Sequence, residues 1–527
     1  MSAALRTWGG ATGGRGNIKY DRLINSAEPE VLVVGGPSSS DGREATPRIL
    51  DRHLKHFRSS KKRQLAITSM AVLGALSFLY WIGFNSSTTW SSCDSVDAGY
   101  QCQPAISHYW GQYSPYYAVP SAISADVPDQ CQVTFAQVLS RHGARDPTSS
   151  KTAQYNATVQ LVHANANSFG SGYEFIKDYK YTLGADQLTG FGQLQMINSG
   201  TNFYDRYHLL ALHTIPFIRA SGEDRVIESA QNWTQGFHEL RLKNKPAKVY
   251  WPYDILVISE EEGFNNTLSH SLCTNFEGPS NNVKDDSMST WASIFVPPIT
   301  ARLNSNLPGV NFTTATTIDM MDLCPFNTVA SPTGEISPFC ALFTEIEWNQ
   351  YDYYQSLGKY YGYTWGNPLG ATQGVGFANE LLARLTNTPV KDHTSTNYTL
   401  DSAPSTFPLG GSTSLYADFS HDNDMTAIFG ALGLYNNTRP LLNTTIEDVR
   451  EMGGFSASWT VPFAARAYFE KLDCVGASEE YVRVLVNDRV LPLEMCGGDS
   501  LGRCTLSSFV DSMGFARQGG HWDECFV

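Results

Sequence analysis

Several common signatures are missing from this sequence, and each absence excludes a class of protein. No CxxC pair occurs, and no cysteines and histidines fall at zinc-finger spacing, which argues against a structural zinc site. No unit repeats at a period of about 20 to 50 residues, which argues against a solenoid or a propeller. The glycine clusters near the N-terminus contain no GxxxxGKS or GxxxxGKT motif, so they do not predict a phosphate-binding loop.

Charge is scarce and unevenly distributed along the chain. Charged residues make up 17% and hydrophobic residues 42% of the 527 residues, which is typical of a globular protein. Residues 1–64 carry 12 Lys and Arg against 6 Asp and Glu, whereas the remainder carries 25 against 45. We interpret the Gly- and Ser-rich stretch 1–64 as a disordered, basic cytoplasmic tail. The acidic remainder is a poor partner for nucleic acid.

An uncharged apolar segment, residues 65–84, follows the tail. Its 20 residues, LAITSMAVLGALSFLYWIGF, are long enough to cross a bilayer as one helix. Basic residues 61–63 precede it, and Tyr80 and Trp81 lie at its other end, as interfacial aromatics do. The positive-inside rule predicts a signal anchor and a single-pass type II membrane protein of the cell surface or secretory pathway. A cleaved signal peptide, which would release a secreted protein, is the alternative.

All ten cysteines and all eight N-x-S/T sequons lie after this segment. An even number of cysteines on the exported side predicts five disulfides, and sequons on the same side predict a glycoprotein. The cysteines are Cys93, Cys102, Cys131, Cys273, Cys324, Cys340, Cys474, Cys496, Cys504 and Cys525. The sequons begin at Asn85, Asn156, Asn232, Asn265, Asn311, Asn397, Asn436 and Asn443.

Residues 85–527 are predicted to form the folded extracytoplasmic domain. Apolar strand patterns alternate with helical patterns, which predicts an α/β fold around a sheet. The mostly helical patterns of the middle, roughly residues 160–390, predict an α-helical insertion that forms a second, smaller lobe.

Three segments share one pattern, in which an apolar strand runs directly into charged residues. They are VLSRHGAR with Arg141, His142 and Arg145, FIRASGEDR with Arg219, and ADFSHDND with His421 and Asp422. Ligands of open α/β sheets bind outside the carboxyl ends of the strands. If these strands are neighbours, the six residues meet in one site.

Three arginines, two histidines and one aspartate suit a phosphomonoester substrate. Arginine pairs with phosphate oxygens, and a histidine between arginines can act as a nucleophile. We therefore predict that His142 is the nucleophile and that Asp422 protonates the leaving alcohol. No metal or other cofactor is required, because the arginines neutralise the phosphate. Burial is expected to raise the pKa of Asp422, which predicts an acidic pH optimum.

The motif RHGARDP, together with the distant HD, resembles the histidine acid phosphatase family. The stretches CDSVDAGYQC, GNPLGATQGVGFANELLARLT, LYADFSHDN and VRVLVNDRVLPL resemble its fungal phytase branch, and the similarity runs from about Cys93 to Val527. The resemblance implies a phosphoglycerate-mutase-like α/β sandwich domain with a smaller α-helical domain. It implies a phosphohistidine on His142, Asp422 as the proton donor, and phosphate binding by Arg141, Arg145, Arg219 and His421. It also implies the disulfides Cys93–Cys102, Cys131–Cys474, Cys273–Cys525, Cys324–Cys340 and Cys496–Cys504.

The charges expected at the pocket mouth leave the substrate open. The resemblance implies a phytase, of the 3-phytase type, whereas related enzymes that favour phytate often carry more lysines than Lys151 and Lys359 at this mouth. Asp146 and Asp424 add negative charge beside the two motifs. A broad-specificity acid phosphatase, a phosphoglycerate-mutase-like phosphotransferase and a non-catalytic phosphate-ligand-binding glycoprotein are the alternatives.

Overall fold

The computed structural model describes residues 106–244, 251–276, 278, 282–332 and 335–526. The predicted tail 1–64 and anchor 65–84 lie outside these ranges, as do Cys93, Cys102 and Asn85. Within the described ranges, no helix combines the length and the apolar character needed to cross a membrane. The tail and the anchor therefore stay predictions from sequence.

Eight strands of the described chain form one mixed sheet in the order β3-β2-β4-β1-β5-β6-β7, with β8 paired to β6. They are β1 Cys131–Arg141, β2 Phe217–Ser221, β3 Leu256–Ile258, β4 Leu415–Ser420, β5 Arg466–Cys474, β6 Tyr481–Val486, β7 Arg489–Val490 and β8 Arg503–Thr505. The first four are parallel, and β5 to β8 pair in the antiparallel sense. The late strand pattern is a hairpin, β6 and β7, that turns at Asn487 and Asp488 with positive φ.

The described chain contains thirteen α-helices, and some of them pack on the sheet. They are α1 Ser149–Asn165, α2 Gly190–Arg206, α3 His208–Ala211, α4 Asp224–Asn244, α5 Val283–Asn306, α6 Thr314–Val329, α7 Glu345–Tyr363, α8 Val375–Thr386, α9 Tyr398–Asp401, α10 Asp422–Ala431, α11 Ala457–Thr460, α12 Leu506–Ser512 and α13 Gly514–Arg517. The interval 160–390, predicted as a helical insertion, also contains β2 and β3 of the sheet. Five helices of the described chain, α5 to α9, lie between β3 and β4 in the sequence.

The side chains of β1 show why the sheet is covered on both faces. Phe135 and Leu139 pack in one apolar cluster, while Ala136 and Val138 pack in the other. This alternation follows from the two-residue period of a strand. α2 and α4 supply much of the second cluster, so the mixed α/β fold predicted from sequence is confirmed.

Four disulfides join cysteines of the described chain. They are Cys131–Cys474, Cys273–Cys525, Cys324–Cys340 and Cys496–Cys504. Cys131 and Cys474 are register partners of β1 and β5, so this bond links the start of one strand to the end of its neighbour. These pairs agree with the pairing that the resemblance implied, and the fifth pair lies outside the described residues.

Candidate active site

The predicted segments meet at the carboxyl ends of the parallel strands. β1 ends at Arg141 and β4 at Ser420, and these residues are partners in the parallel register. β2 lies on the other side of β4 and ends at Ser221. The backbone N–H of His142 donates to the Ser420 carbonyl at 3.1 Å, which continues the pairing one residue past β1. The turns after these strands therefore share one edge of the sheet.

His142 is buried at this edge, with 1% of its surface exposed. Its Nδ1 lies 2.8 Å from the Gly143 carbonyl oxygen. Because a carbonyl only accepts, Nδ1 carries the proton and Nε2 keeps its lone pair. A Cβ at position 143 would lie 2.3 Å from the Gly192 carbonyl oxygen, so glycine is required there. Burial, with Arg141 and Arg225 nearby, holds the pKa of His142 well below its usual value, which favours a neutral, nucleophilic imidazole.

Arg141 and Arg145 place two cations beside the imidazole. Arg141 is fully buried, and its Nη1 donates to the Gln112 carbonyl and, at 2.8 Å, to the Val461 carbonyl. Its Nη2 lies 3.5 Å from Asp422. Arg145 lines the adjoining cleft and donates to the carbonyl of the next residue at 2.8 Å. Both arginines are thus held by backbone oxygens, with further N–H groups left for an anion.

The assignment of Arg219 to the phosphate site is wrong. Arg219 is 1% exposed, and its Nε and Nη2 pair with Asp418 at 2.7 Å and with Glu380 at 2.6 Å. Asp418 also accepts from Arg384 at 2.7 Å and from Gln137 at 2.8 Å. Arg219 lies inside β2, so its guanidinium neutralises buried carboxylates below the site instead of facing a ligand.

Arg225 supplies the third guanidinium. It lies in the first turn of α4, after the end of β2, and its side chain is 14% exposed. Burial and the like charge of Arg145 lower its pKa, and its own charge lowers that of His142. The sequence carried the signal in FIRASGEDR, because Arg225 follows the strand as the other site residues do.

His421 and Asp422 come directly after β4 and complete the group. The ring centroids of His142 and His421 are 5.6 Å apart, with an angle of 69° between the ring planes. Asp422 Oδ2 lies 3.5 Å from Arg141 and 2.5 Å from Lys359 Nζ. The structure therefore brings five of the six predicted residues to one place, with Arg225 in the position expected for Arg219.

The expected upward shift of the Asp422 pKa is not found. Burial alone would raise it, but Arg141 and Lys359 outweigh burial and hold the pKa well below its ordinary value. Lys359 is only 5% exposed and also donates to Asn423 at 2.6 Å. It was expected as a cation at the pocket mouth, and it is instead committed to the aspartate.

A cleft of about 760 Å³ opens beside the site. Its lining includes the three lysines Lys151, Lys284 and Lys359, and Asp422 forms part of its wall. Lys284 comes from α5, far along the chain from the motifs, and sequence reasoning missed it. Its Nζ lies 3.6 Å from Asp285, which lines the same cleft.

The two aspartates expected beside the motifs differ in environment. Asp424 is 2% exposed, and its Oδ1 lies 2.5 Å from Nδ1 of His270. Asp424 is therefore a buried partner of His270 and not an exposed charge at the mouth. Asp146 is half-buried, and burial raises its pKa.

Glu223, Glu260 and His421 each offer one ligand atom, and these atoms lie within 4.8 Å of one another. His421 Nε2 already bonds Glu260 at 3.1 Å, and Glu223 already pairs with Arg225. The side chains therefore satisfy one another, and we assign no metal to them.

Comparison with known proteins agrees with this geometry. Residues 132–487 match the model of the Histidine phosphatase superfamily (branch 2). The chain belongs to this family.

Similar proteins and solved structures indicate which members of this family the chain resembles. Phytase A of Aspergillus oryzae is 54% identical over 442 residues, which cover 83% of this chain and 94% of the relative. Phytase A of Aspergillus fumigatus is 52% identical over 446 residues, or 84% and 95% of the two chains. The crystal structure of the phytase from D. castellii has a TM-score of 0.65 at 23% identity, covers 80% of this chain and 87% of its own, and shows the shared fold. The protein is a histidine acid phosphatase of the phytase-like type.

Proposed function

We propose that this protein hydrolyses phytate, myo-inositol hexakisphosphate, through a phosphohistidine on His142. The observation that carries the proposal is the neutral Nε2 of His142 beside three guanidinium groups, those of Arg141, Arg145 and Arg225. Nε2 attacks phosphorus while the ester P–O bond breaks, and Asp422 gives a proton to the departing oxygen. Water then attacks phosphorus and gives a proton to the Asp422 carboxylate, the P–N bond breaks, and inorganic phosphate leaves.

The arginines bind the charge that phosphoryl transfer requires. They offer fixed N–H donors to the phosphate oxygens, and their positions do not depend on the substrate because backbone carbonyls hold two of them. His421, whose ring lies 5.6 Å from that of His142, supplies a further donor. This set needs no metal ion to neutralise the phosphate.

Substrate binding changes the balance between the protonated and ionised forms of Asp422. In the free enzyme Arg141 and Lys359 stabilise the carboxylate. A phosphate bound to the same cations brings negative charge close to Asp422 and favours its protonated form. The proton donor is thus loaded when the substrate arrives, and acid pH assists the loading.

The cleft supports an inositol polyphosphate more than a small monoester. Its volume of about 760 Å³ lies within the usual range for ligand sites, and Lys151 and Lys284 can contact phosphates that are not being cleaved. The pairing of Lys284 with Asp285 and of Lys359 with Asp422 reduces the free positive charge. This reduction favours the alternative, a broad-specificity acid phosphatase with little preference for phytate.

The test compares phosphate release from phytate and from p-nitrophenyl phosphate between about pH 2 and about pH 8, with EDTA present. We expect hydrolysis of both at acid pH, with the higher kcat/KM for phytate. His142→Ala should abolish turnover and the acid-labile phosphoenzyme, whereas His208→Ala, at an exposed histidine of α3, should keep both. Phosphate binding without release would favour the non-catalytic alternative, and phosphoryl transfer without net phosphate release would favour the mutase-like one.

We also propose that the enzyme is an exported glycoprotein held by the predicted anchor 65–84. Asn156, Asn311 and Asn436 are exposed, as glycan acceptors must be, and the disulfides suit an oxidising compartment. Removal of N-glycans should lower the apparent mass of the protein. Resistance to extraction by alkaline carbonate would support the anchor, and recovery in the soluble fraction would favour a cleaved signal peptide.

A further inference from the structure

Glu223 lies in the turn between β2 and α4, next to the groups that would hold the phosphate. Its Oε2 pairs directly with Nη2 of Arg225 and lies 4.0 Å from Nε2 of His421. Its side chain is 41% exposed, whereas that of Arg225 is 14% exposed. The carboxylate of a partly exposed side chain therefore contacts a mostly buried cation at the phosphate site through a buried oxygen.

A second carboxylate, Glu260, has a different role. It follows β3, accepts the backbone N–H of Glu223 at 3.2 Å and lies 3.1 Å from Nε2 of His421. Burial would raise its pKa, but the contacts with His421 and its other hydrogen bonds outweigh burial and lower it. Glu260 is thus held in place as a partner of His421, while Glu223 touches Arg225 from a more exposed position.

We propose that Glu223 competes with phosphate for Arg225 and lowers the affinity of the site for phosphate when it is ionised. A phosphate that approaches Arg225 must displace the carboxylate or bind beside it, and both cost affinity because the two groups carry like charge. The inference rests on the proposed function, because it takes Arg225 and His421 as phosphate ligands.

The groups around Glu223 indicate that its charge affects how strongly Arg225 can bind phosphate. The charged and titratable groups that face it are Arg225 from its own turn, His421 from the end of β4 and Glu260 from the end of β3. Arg225 remains a cation at any relevant pH. Glu260 is held by His421, so Glu223 is the carboxylate that a phosphate meets at Arg225.

The test measures competitive inhibition by inorganic phosphate against p-nitrophenyl phosphate for the full chain and for Glu223→Gln. At about pH 6 we expect the inhibition constant of the variant to be about three- to fivefold lower, the size of an ion pair that is partly open to solvent. Glu262→Gln is the control, because Glu262 is exposed on the segment that follows Glu260.

Two results would overturn the inference. An unchanged inhibition constant would mean that Glu223 does not compete, and a higher constant in the variant would mean that Glu223 positions Arg225 for phosphate. Glu223→Ser, with circular dichroism of each variant, separates either result from misfolding. Calorimetry of inorganic phosphate binding to the wild type and to Glu223→Gln distinguishes the failure of this inference from the failure of the proposed phosphatase activity. It measures the effect of Glu223 on phosphate affinity even if the wild-type protein releases no phosphate from either ester.

Discussion

Lys359 offers the sharpest test of how the proton donor is controlled. Its Nζ lies 2.5 Å from Asp422 Oδ2 and 2.6 Å from Asn423 Oδ1, and only 5% of the residue is exposed. Lys359→Met removes the charge and keeps most of the side-chain volume. Asp422 then retains one cation, Arg141, at 3.5 Å.

The direction of the effect follows from the role of Asp422. Lys359 stabilises its carboxylate, so loss of Lys359 raises the pKa of Asp422. Because the reaction needs the protonated acid, the proton donor stays loaded to higher pH. An opposite charge at contact distance changes a carboxyl pKa by at least about one unit, so the alkaline limb of the profile of kcat/KM should move up by about one pH unit or more.

The assay is the pH dependence of kcat/KM with p-nitrophenyl phosphate and with phytate for both proteins. The ionisation of each substrate is common to both, so it cancels in the comparison. Lys284→Met is the matched control, because Lys284 lines the same cleft, is 36% exposed and pairs with Asp285 instead of Asp422. An alkaline limb that stays in place, or that moves to lower pH, would refute the electrostatic argument.

Three further substitutions test other parts of the site. Asp422→Asn should lower kcat for phytate by about 10²- to 10⁴-fold. The loss of kcat should be smaller for p-nitrophenyl phosphate, because its leaving group needs no proton. Equal losses of kcat for the two substrates in steady-state assays would contradict the role of Asp422 as an acid. Arg225→Met should raise KM for both substrates with the fold intact by circular dichroism, and an unchanged KM would remove Arg225 from the phosphate site. His270→Leu removes the imidazole that bonds the buried Asp424 at 2.5 Å and should lower the free energy of unfolding by about 1–3 kcal/mol in urea denaturation, a loss that a second change, Asp424→Asn, should partly restore.

The strands and the turns after them were predictable because their signals are local. The apolar run before Arg141 and the small residues after His142 mark the end of a buried strand. In the structure this strand, β1, ends at Arg141, so Arg141 and His142 lie at the sheet edge. The error at Arg219 came from choosing the arginine inside the strand of FIRASGEDR and leaving out Arg225, which follows the strand. A residue inside a strand points into a core, whereas Arg225, past the strand, faces the open edge.

The charges around the site could not be predicted because they depend on contacts between distant parts of the chain. Lys284 reaches the cleft from α5, and His270 meets Asp424 across 154 positions of sequence. Lys359 and Asp422 are 63 positions apart, and their contact reverses the pKa shift that burial alone predicts. Composition and motif spacing carry no information on these pairings.

The disulfide between Cys273 and Cys525 has a consequence for biosynthesis. Cys525 is translated 252 residues after Cys273, so this bond cannot form until that much more of the chain has been made. Until then, the loop that carries His270 has no covalent tie near its end. Formation of this disulfide is therefore expected to follow that of Cys324–Cys340, whose two cysteines are only 16 positions apart in the chain.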